Sequence, residues 1–354
     1  FLFNQTRAKP ARLLAVSGSN GKSTTVTLLQ KLLEASGYTA ACGGNIGVPM
    51  ISLLEKNLDF IVLELSSFQL ESTYTLQPEI AILLNLYENH LDRHKDIETY
   101  FAAKKRLFQA QWATDHAILN SNNQWCQKIA KETPAQIHWF GHEQLNPDAY
   151  IQDDTLYYQN QVLMPLSDLA LCGKHNHENI LAALTAASVL NLPAEACQKV
   201  LYDFGGIPHR LEKIKTWQDR TFINDSKATN YLAAQTALES MKQAVILIAG
   251  GQDKGGDFKP FAESIHQKAL HVVLIGQSAE YFQHQLSQNG YNQCTVVANM
   301  QAATMLAYQL SKPGDIILLS PATASYDSYR NFEERGDDFR KHVAALITKN
   351  KTTP

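Results

Sequence analysis

The chain has 354 residues, 45% of them hydrophobic and 18% charged, with a net charge of -3. That length exceeds one ordinary core and points to two domains of a soluble protein. The charge offers no basic stripe for nucleic acid, and the cysteines (Cys42, Cys126, Cys172, Cys197, Cys294) form no C-x-x-C pair, which argues for reduced thiols in a cytoplasm and against a disulfide framework or zinc site. The longest apolar runs fall far short of the roughly 18 residues of a membrane span.

The opening FLFNQTRAKPAR lacks both an initial Met and a signal-peptide core, so residues 1–12 read as a linker cut from something upstream. The predicted elements begin with a strand at 12–16, a glycine-containing loop, a helix at 22–36 closed by Gly37, and a short strand at 38–42. Strands at 59–65 and 79–84, a helix near 96–111 and a strand at 116–120 follow. Residues 149–164 alternate polar and apolar side chains as a small antiparallel piece does, and 176–190 carries helical spacing. Gly205-Gly206-Ile207-Pro208-His209-Arg210 breaks both periodicities and is the expected boundary, with domains at 1–207 and 208–354. Beyond it come strand 220–224, helix 230–241, strand 244–249, helix 257–268, strand 271–275, a helix, a strand, a helix, strand 315–319 and a closing helix. Such alternation is the pattern of α/β domains with mostly parallel sheets.

The first loop, VSGSNGKST, carries the first chemistry. It fails the usual phosphate-loop pattern, because Val16 stands where that pattern has its first glycine. Even so, a strand runs through a glycine turn into a helix that starts at Lys22. Such a turn aims backbone N–H groups from Gly18, Ser19, Asn20 and Gly21 at phosphate oxygens, helped by the helix dipole. Lys22 would reach the outer phosphates, and Ser23 or Thr24 would ligate Mg²⁺. A plain capped strand–helix turn is the alternative on this stretch alone. Glu64 shifts the balance, being an acid inside the otherwise buried run FIVLELSS. A buried carboxylate needs a cation or strong donors; Mg²⁺ on ATP meets the need, as would a salt bridge to a core Lys or Arg. His90, in the loop NLYENHLD, is either a metal ligand or a hydrogen-bonded loop histidine.

Eight motifs occur in order: GSNGKST, LELSSFQLE, NLYENHLDRH, GKHNHEN, PHRLE, NDSKATN, GGQDKGGDF and SPATASYDSYRNFEERG. Spanning residues 16–336, they resemble the Mur ligases, and among these the member that adds glutamate. The resemblance implies a central ATPase domain and a C-terminal, dinucleotide-fold-like domain that receives the amino acid, with the family's N-terminal UDP-gripping domain missing. It implies an ATP-dependent, ADP-forming ligase that joins D-glutamate to UDP-N-acetylmuramoyl-L-alanine through an acyl phosphate. A monomer working in bacterial cytoplasmic peptidoglycan-precursor synthesis is expected.

By the same resemblance, Lys22 contacts the phosphates, Ser23 and Glu64 serve one Mg²⁺, and His90 serves a second. Lys104, in the AAK stretch, becomes a carbamate supporting that second metal, with Lys105 the other register. Asn45, Ser66, Gln69 and His90 hold the muramoyl-alanine end. Asn176 and Asn179 face adenine, Arg210 meets the phosphates and Asp225 takes the ribose. Lys227 serves the reacting end, while Thr229, Lys254, Ser325 and Phe332 take D-glutamate. On position alone, Asn176 would be a helix cap, Arg210 a hinge arginine, and Ser325 and Phe332 cap and core residues. The chain departs from some members at Gln252-Asp253-Lys254 and Thr323. Rival readings are a folate-polyglutamating ligase, a regulatory NTPase, and a fragment that binds nucleotide without turnover.

Overall fold

A computed structural model describes residues 10–53, 56–87, 91–141, 147–171 and 173–351. The fold is α/β, and the chain divides into two compact units, Phe1–Gly206 and Ile207–Pro354.

The first unit runs β1 (Arg12–Ser17), α1 (Lys22–Ala35), β2 (Ala40–Gly44), β3 (Phe60–Glu64), α2 (Ser67–Glu71), β4 (Ile80–Leu83), α3 (Leu91–His94), α4 (Ile97–Gln109) and β5 (His116–Asn120). It continues with α5 (Gln124–Ala130), β6 (Gln136–Phe140), β7 (Ala149–Gln152), β8 (Thr155–Tyr158), β9 (Gln161–Pro165), α6 (Lys174–Val189) and α7 (Ala194–Asp203). Six strands form a parallel sheet in the order β2-β3-β1-β4-β5-β6. Its central strands are mostly apolar because helices cover both faces. Along β1, Leu14 and Val16 enter the core shared with α1 and α6, while Ala15 enters the one shared with α4 and α5. The expected antiparallel piece is the separate sheet β7-β8-β9.

The second unit runs β10 (Glu212–Trp217), β11 (Arg220–Asn224), α8 (Tyr231–Glu239), β12 (Val245–Ala249), α9 (Lys259–Lys268), β13 (Ala269–Leu274), α10 (Ala279–Gln288), β14 (Cys294–Val296), α11 (Met300–Leu310), β15 (Ile316–Leu319) and α12 (Phe332–Lys351). Its sheet has the order β10-β11-β15-β12-β13-β14, parallel except for β10 against β11. Side chains of β12 again alternate, with Leu247 in one core and Ile246 and Ile248 in the other.

Several elements differ from expectation. The helix expected at 176–190 starts two residues earlier, at Lys174, behind Gly173. The strand expected at 38–42 lies at Ala40–Gly44, where it pairs with β3. Helices α2, α3, α5 and α7 and strands β6 and β10 have no counterpart among the expected elements. Burial at β10 alternates only weakly, with exposed Lys213 and Lys215 against half-buried Ile214, as suits an edge strand. Among the described residues the cysteines are free thiols, and burial pushes the Cys126 thiol up to about 12, leaving it inert near neutral pH.

Candidate active site

Ligands of open α/β sheets bind beyond the carboxyl ends of the strands, where the strand order reverses. In the first unit that place is the end of β1, which has β3 on one side and β4 on the other. The phosphate loop emerges there and is braced by the β4 side. Ser19 N donates to Asn85 O at 3.0 Å, and Asn20 N donates to Asn85 Oδ1 at 3.0 Å. Ser19 Oγ donates to Tyr87 O at 3.1 Å and accepts from Tyr87 N at 3.0 Å. Gly21 caps α1 with φ 84°, a left-handed conformation that favours glycine, and a Cβ there would displace the Asn179 side-chain amide. The half-buried Lys22 donates from Nζ to Gly18 O at 2.8 Å and Ser19 O at 2.9 Å, curled over the loop it serves. Ser23, buried, and Thr24 stand in the first turn of α1.

Beside the loop, Glu64 closes β3 opposite Val16 of β1 and Gly44 of β2, and is only 2% exposed. Its Oε1 accepts from Asn45 Nδ2 at 2.8 Å. Its Oε2 is buried and accepts no hydrogen bond among the described residues. Among those residues no salt bridge joins Glu64 to a Lys or Arg, although the buried Lys104 is near enough for the two charges to act on each other. A buried, unpartnered carboxylate oxygen beside a phosphate loop fits a cation ligand. No cluster of three or more His, Cys, Asp or Glu among the described residues could hold a metal unaided.

Lys104 reaches the same place from α4 and is 1% exposed. Its Nζ donates to Ser17 Oγ at 3.1 Å and to Gly18 O at 3.0 Å, and lies 4.8 Å from the centroid of the Tyr100 ring. Burial, then the neighbouring charge of Lys22, pulls its pKa down to about 7 against the opposing pull of Glu64. Lys105 instead pairs with Glu132 on the surface.

Other expected site residues have local duties. Ser66 and Gln69 form the capping box of α2: Gln69 N donates to Ser66 Oγ at 3.3 Å and Ser66 N donates to Gln69 Oε1 at 3.0 Å. Asn176 does not cap α6, which starts behind Gly173; it accepts at Oδ1 from Asn179 Nδ2 at 3.2 Å. His90 lies outside the described residues.

In the second unit, Asp225 follows β11, accepting from Ser320 Oγ at 2.9 Å and Leu211 N at 3.1 Å. Burial outweighs both bonds and raises its pKa to about 6. Arg210 is exposed, and its charge draws the Asp225 pKa slightly the other way. Lys227 Nζ lies 5.9 Å from the centroid of the Phe332 ring, and exposed Lys254 lies 6.0 Å from that of Tyr326. Ser325 is buried, and its carbonyl accepts from Ser328 N and Tyr329 N. Thr229 is half-buried ahead of α8.

Two contributors were not singled out from sequence. Asn85 holds the phosphate loop, and Arg335 ties the second unit's segments together. The Arg335 guanidinium is 1% exposed and donates to Ser226 Oγ and O, Thr323 O and Ala324 O, at 2.9–3.1 Å. Both lie inside motifs quoted above, but nothing in a linear run of charges tells a buried arginine from a solvated one.

The parallel-sheet fold, the braced glycine loop and the buried acid beside it define a phosphate-binding enzyme with a second α/β unit. The pattern of the Mur ligase middle domain matches residues 16–187, and that of the Mur ligase glutamate ligase domain matches residues 209–323. The chain is 38% identical over 333 residues to the UDP-N-acetylmuramoylalanine–D-glutamate ligase of Oenococcus oeni, covering 94% of this chain and 76% of that one. It therefore belongs to the Mur ligase family, with the D-glutamate ligases as relatives, and is a ligase. Among solved structures it resembles a UDP-N-acetylmuramoyl-L-alanyl-D-glutamate–2,6-diaminopimelate ligase, with a TM-score of 0.65, 22% identity and coverage of 96% and 79%. It also resembles E. coli FolC in complex with DHPP and ADP, with a TM-score of 0.60, 17% identity and coverage of 97% and 90%. These two likenesses establish the shared fold alone. No helix among the described residues is long and apolar enough to cross a membrane.

Proposed function

We propose that the chain forms the catalytic units of an ATP-dependent, ADP-forming ligase that joins D-glutamate to UDP-N-acetylmuramoyl-L-alanine in cytoplasmic peptidoglycan-precursor synthesis. The observation that carries this reading is the convergence of Lys22, Lys104 and the half-satisfied Glu64 carboxylate at the end of β1, in a chain with D-glutamate-ligase relatives.

The first unit takes ATP. The glycine loop from Gly18 to Gly21, with the N–H groups of Ser19 and Asn20 held by Asn85, and the Lys22 ammonium offset phosphate charge, while Asn176 and Asn179 are assigned to the adenine side. The alanine carboxylate attacks the γ-phosphorus, the bond to the β–γ bridging oxygen breaks, and ADP and an acyl phosphate form. Two anions must meet in that step, so fixed positive charge and positioning do most of the work. Mg²⁺ fits beside Ser23 and Glu64, and when bound it draws charge off the reacting phosphate oxygens. Lys104 in its neutral form adds CO2 and releases a proton, becoming an anion able to support a second Mg²⁺ with His90.

The second unit takes the amino acid. The family likeness assigns Asp225 to the ribose, Arg210 to the phosphates, and Lys227, Thr229, Lys254, Ser325 and Phe332 to D-glutamate. Its amine attacks the acyl phosphate carbon, a tetrahedral intermediate forms, and phosphate leaves. Asn45, Ser66 and Gln69 hold the muramoyl-alanine end. In full-length enzyme carrying this sequence, phosphate release from ATP is expected only with both UDP-N-acetylmuramoyl-L-alanine and D-glutamate present. Equal turnover with L-glutamate or with a folate acceptor overturns the assignment.

A further inference from the structure

Two residues of the segment that opens the second unit hold left-handed backbones without being glycine. They are His209, with φ 63°, and Leu211, with φ 44°, and the residue between them is Arg210. His209 is third in the turn Ile207-Pro208-His209-Arg210, which Arg210 N closes by donating to Ile207 O at 3.2 Å. Proline second and a positive φ third is a common turn arrangement, yet the third place ordinarily takes glycine or asparagine. A leucine with positive φ is rarer still, and Leu211 is 41% exposed, so burial does little to offset its strain. Such conformations cost free energy and persist only where their surroundings over-determine them.

Polar groups of the same unit supply that constraint. His209 N donates to Glu212 Oε2 at 2.9 Å, and Lys227 N donates to His209 O at 3.0 Å. Leu211 N donates to Asp225 Oδ1 at 3.1 Å. The buried His209 ring has Nδ1 3.0 Å from Asn224 Nδ2, in a space that a Cβ on Gly336 would fill. Glu212, the first residue of β10, is itself held from α12. Arg340 donates from Nε to its Oε1 at 3.1 Å and from Nη2 to both carboxylate oxygens at 2.6 Å. A forked, charge-assisted pair of this kind fixes direction as well as distance. The bonded backbone groups of His209 and Leu211 thus flank Arg210, whose side chain is exposed.

We propose that Glu212, locked by Arg340, is a positioning residue: it clamps the left-handed backbone around Arg210 so that the guanidinium is presented in one direction. A loose turn would spread the same charge over many directions, and aimed positive charge acts more strongly on a reacting phosphate. The inference rests on Arg210 meeting the phosphates, as read above, and adds the groups that aim it.

Hydrogen exchange and kinetics test the two parts separately. In the 354-residue chain, Glu212→Ala is expected to speed amide exchange at Leu211 by about tenfold, although that amide bonds Asp225 and not Glu212. Amides of β12 are expected to keep their wild-type rates. Unchanged exchange at Leu211 overturns the clamp, and so does lost protection across β12, which assigns Glu212 to the fold at large. In full-length enzyme carrying this sequence, Glu212→Ala is expected to lower kcat about tenfold to a hundredfold. In an Arg210→Ala background it is expected to cost nothing further, because no guanidinium is left to aim. Equal losses in both backgrounds overturn the positioning role. Arg340→Gln leaves the carboxylate in place and removes its partner from a partly exposed site; it is expected to give the same results at smaller size. Wild-type exchange and kcat in that variant overturn the lock. Undiminished turnover in Arg210→Ala overturns the reading of Arg210 itself, whatever the exchange rates show.

Discussion

Lys104 occupies a demanding place in the first unit, since an ammonium with 1% exposure has a hydroxyl, a carbonyl and a ring face as its contacts among the described residues, with the charges of Lys22 and Glu64 nearby. A pKa of about 7 leaves a large neutral fraction at physiological pH, the form that reacts with CO2. Wild-type protein in ¹³C-bicarbonate is therefore expected to show a carbamate carbon resonance that Lys104→Arg lacks. Lys104→Ala is expected to lose turnover and recover part of it with a short carboxylic acid; undiminished turnover in Lys104→Ala removes the carbamate from the mechanism. On the proposed reading Lys22 meets the phosphates, and ATP·Mg²⁺ at a hundred times its Kd should stabilise the wild-type chain by about 2.7 kcal/mol. Lys22→Ala should lose most of that shift in a thermal melt, and an equal shift in both proteins would free Lys22 of its role. Asp225 gives a pH dependence of definite sign. Its folded pKa of about 6 lies above the ordinary 3.8, so between these values the native state holds more protons than the unfolded one. Stability from this group thus falls as pH rises from about 4 to about 6. Urea titrations of Asp225→Asn should show that decline removed, leaving the variant comparatively better off at pH 7 than at pH 4.

Strands and helices differ in how plainly the sequence announces them, and solvent is the reason. Strands β1, β3, β4, β12 and β15 are covered on both faces, so each is a run of adjacent apolar residues, legible without any partner. Edge strands β6 and β10 keep one side in water and carry Gln136, His138, Lys213 and Lys215, so they pass for loop. For the site, the glycine loop and Glu64 are legible because a buried acid is costly enough to stand out. The Lys104–Ser17 bond joins residues 87 apart and depends on α4 packing beside β1, which no local pattern records. Chemistry at Lys104 was legible only through family likeness; burial supplies its physical basis. Element burial also ranks substitutions. Leu247 is fully buried in central β12, so Leu247→Ala should cost about 2–5 kcal/mol. Lys215 is exposed on edge β10, so Lys215→Ala should stay within about 0.5 kcal/mol. Comparable losses at both positions in denaturant titrations would contradict the sheet order.

At the scale of the whole molecule, each unit carries a complete two-faced core. In the second unit one core joins α8, α9 and α10 to the sheet through Leu238, Phe261, Phe282 and Leu247, and the other joins α11 and α12 through Ala303, Phe339, Val343 and Ile248. Its central sheet buries β12 and β15 completely, and its charged Arg335 is satisfied by groups of the same unit. A domain of this size buries enough of its unfolded surface to stand alone, with a net stability of about 5–15 kcal/mol. Residues 207–354 expressed separately are therefore expected to unfold in a single cooperative transition, followed in urea by near-ultraviolet dichroism and far-ultraviolet dichroism together. Arg335→Met tests the same unit from within: its removal leaves the carbonyls of Thr323 and Ser226 without their donor, at about 1–3 kcal/mol for each buried group, while Ala324 O keeps its bond from Gln252 N. The midpoint should fall while the transition stays single. Noncoincident transitions, or dye binding typical of loose packing in the unsubstituted segment, would mean that the core assigned to this unit is not sufficient for its fold.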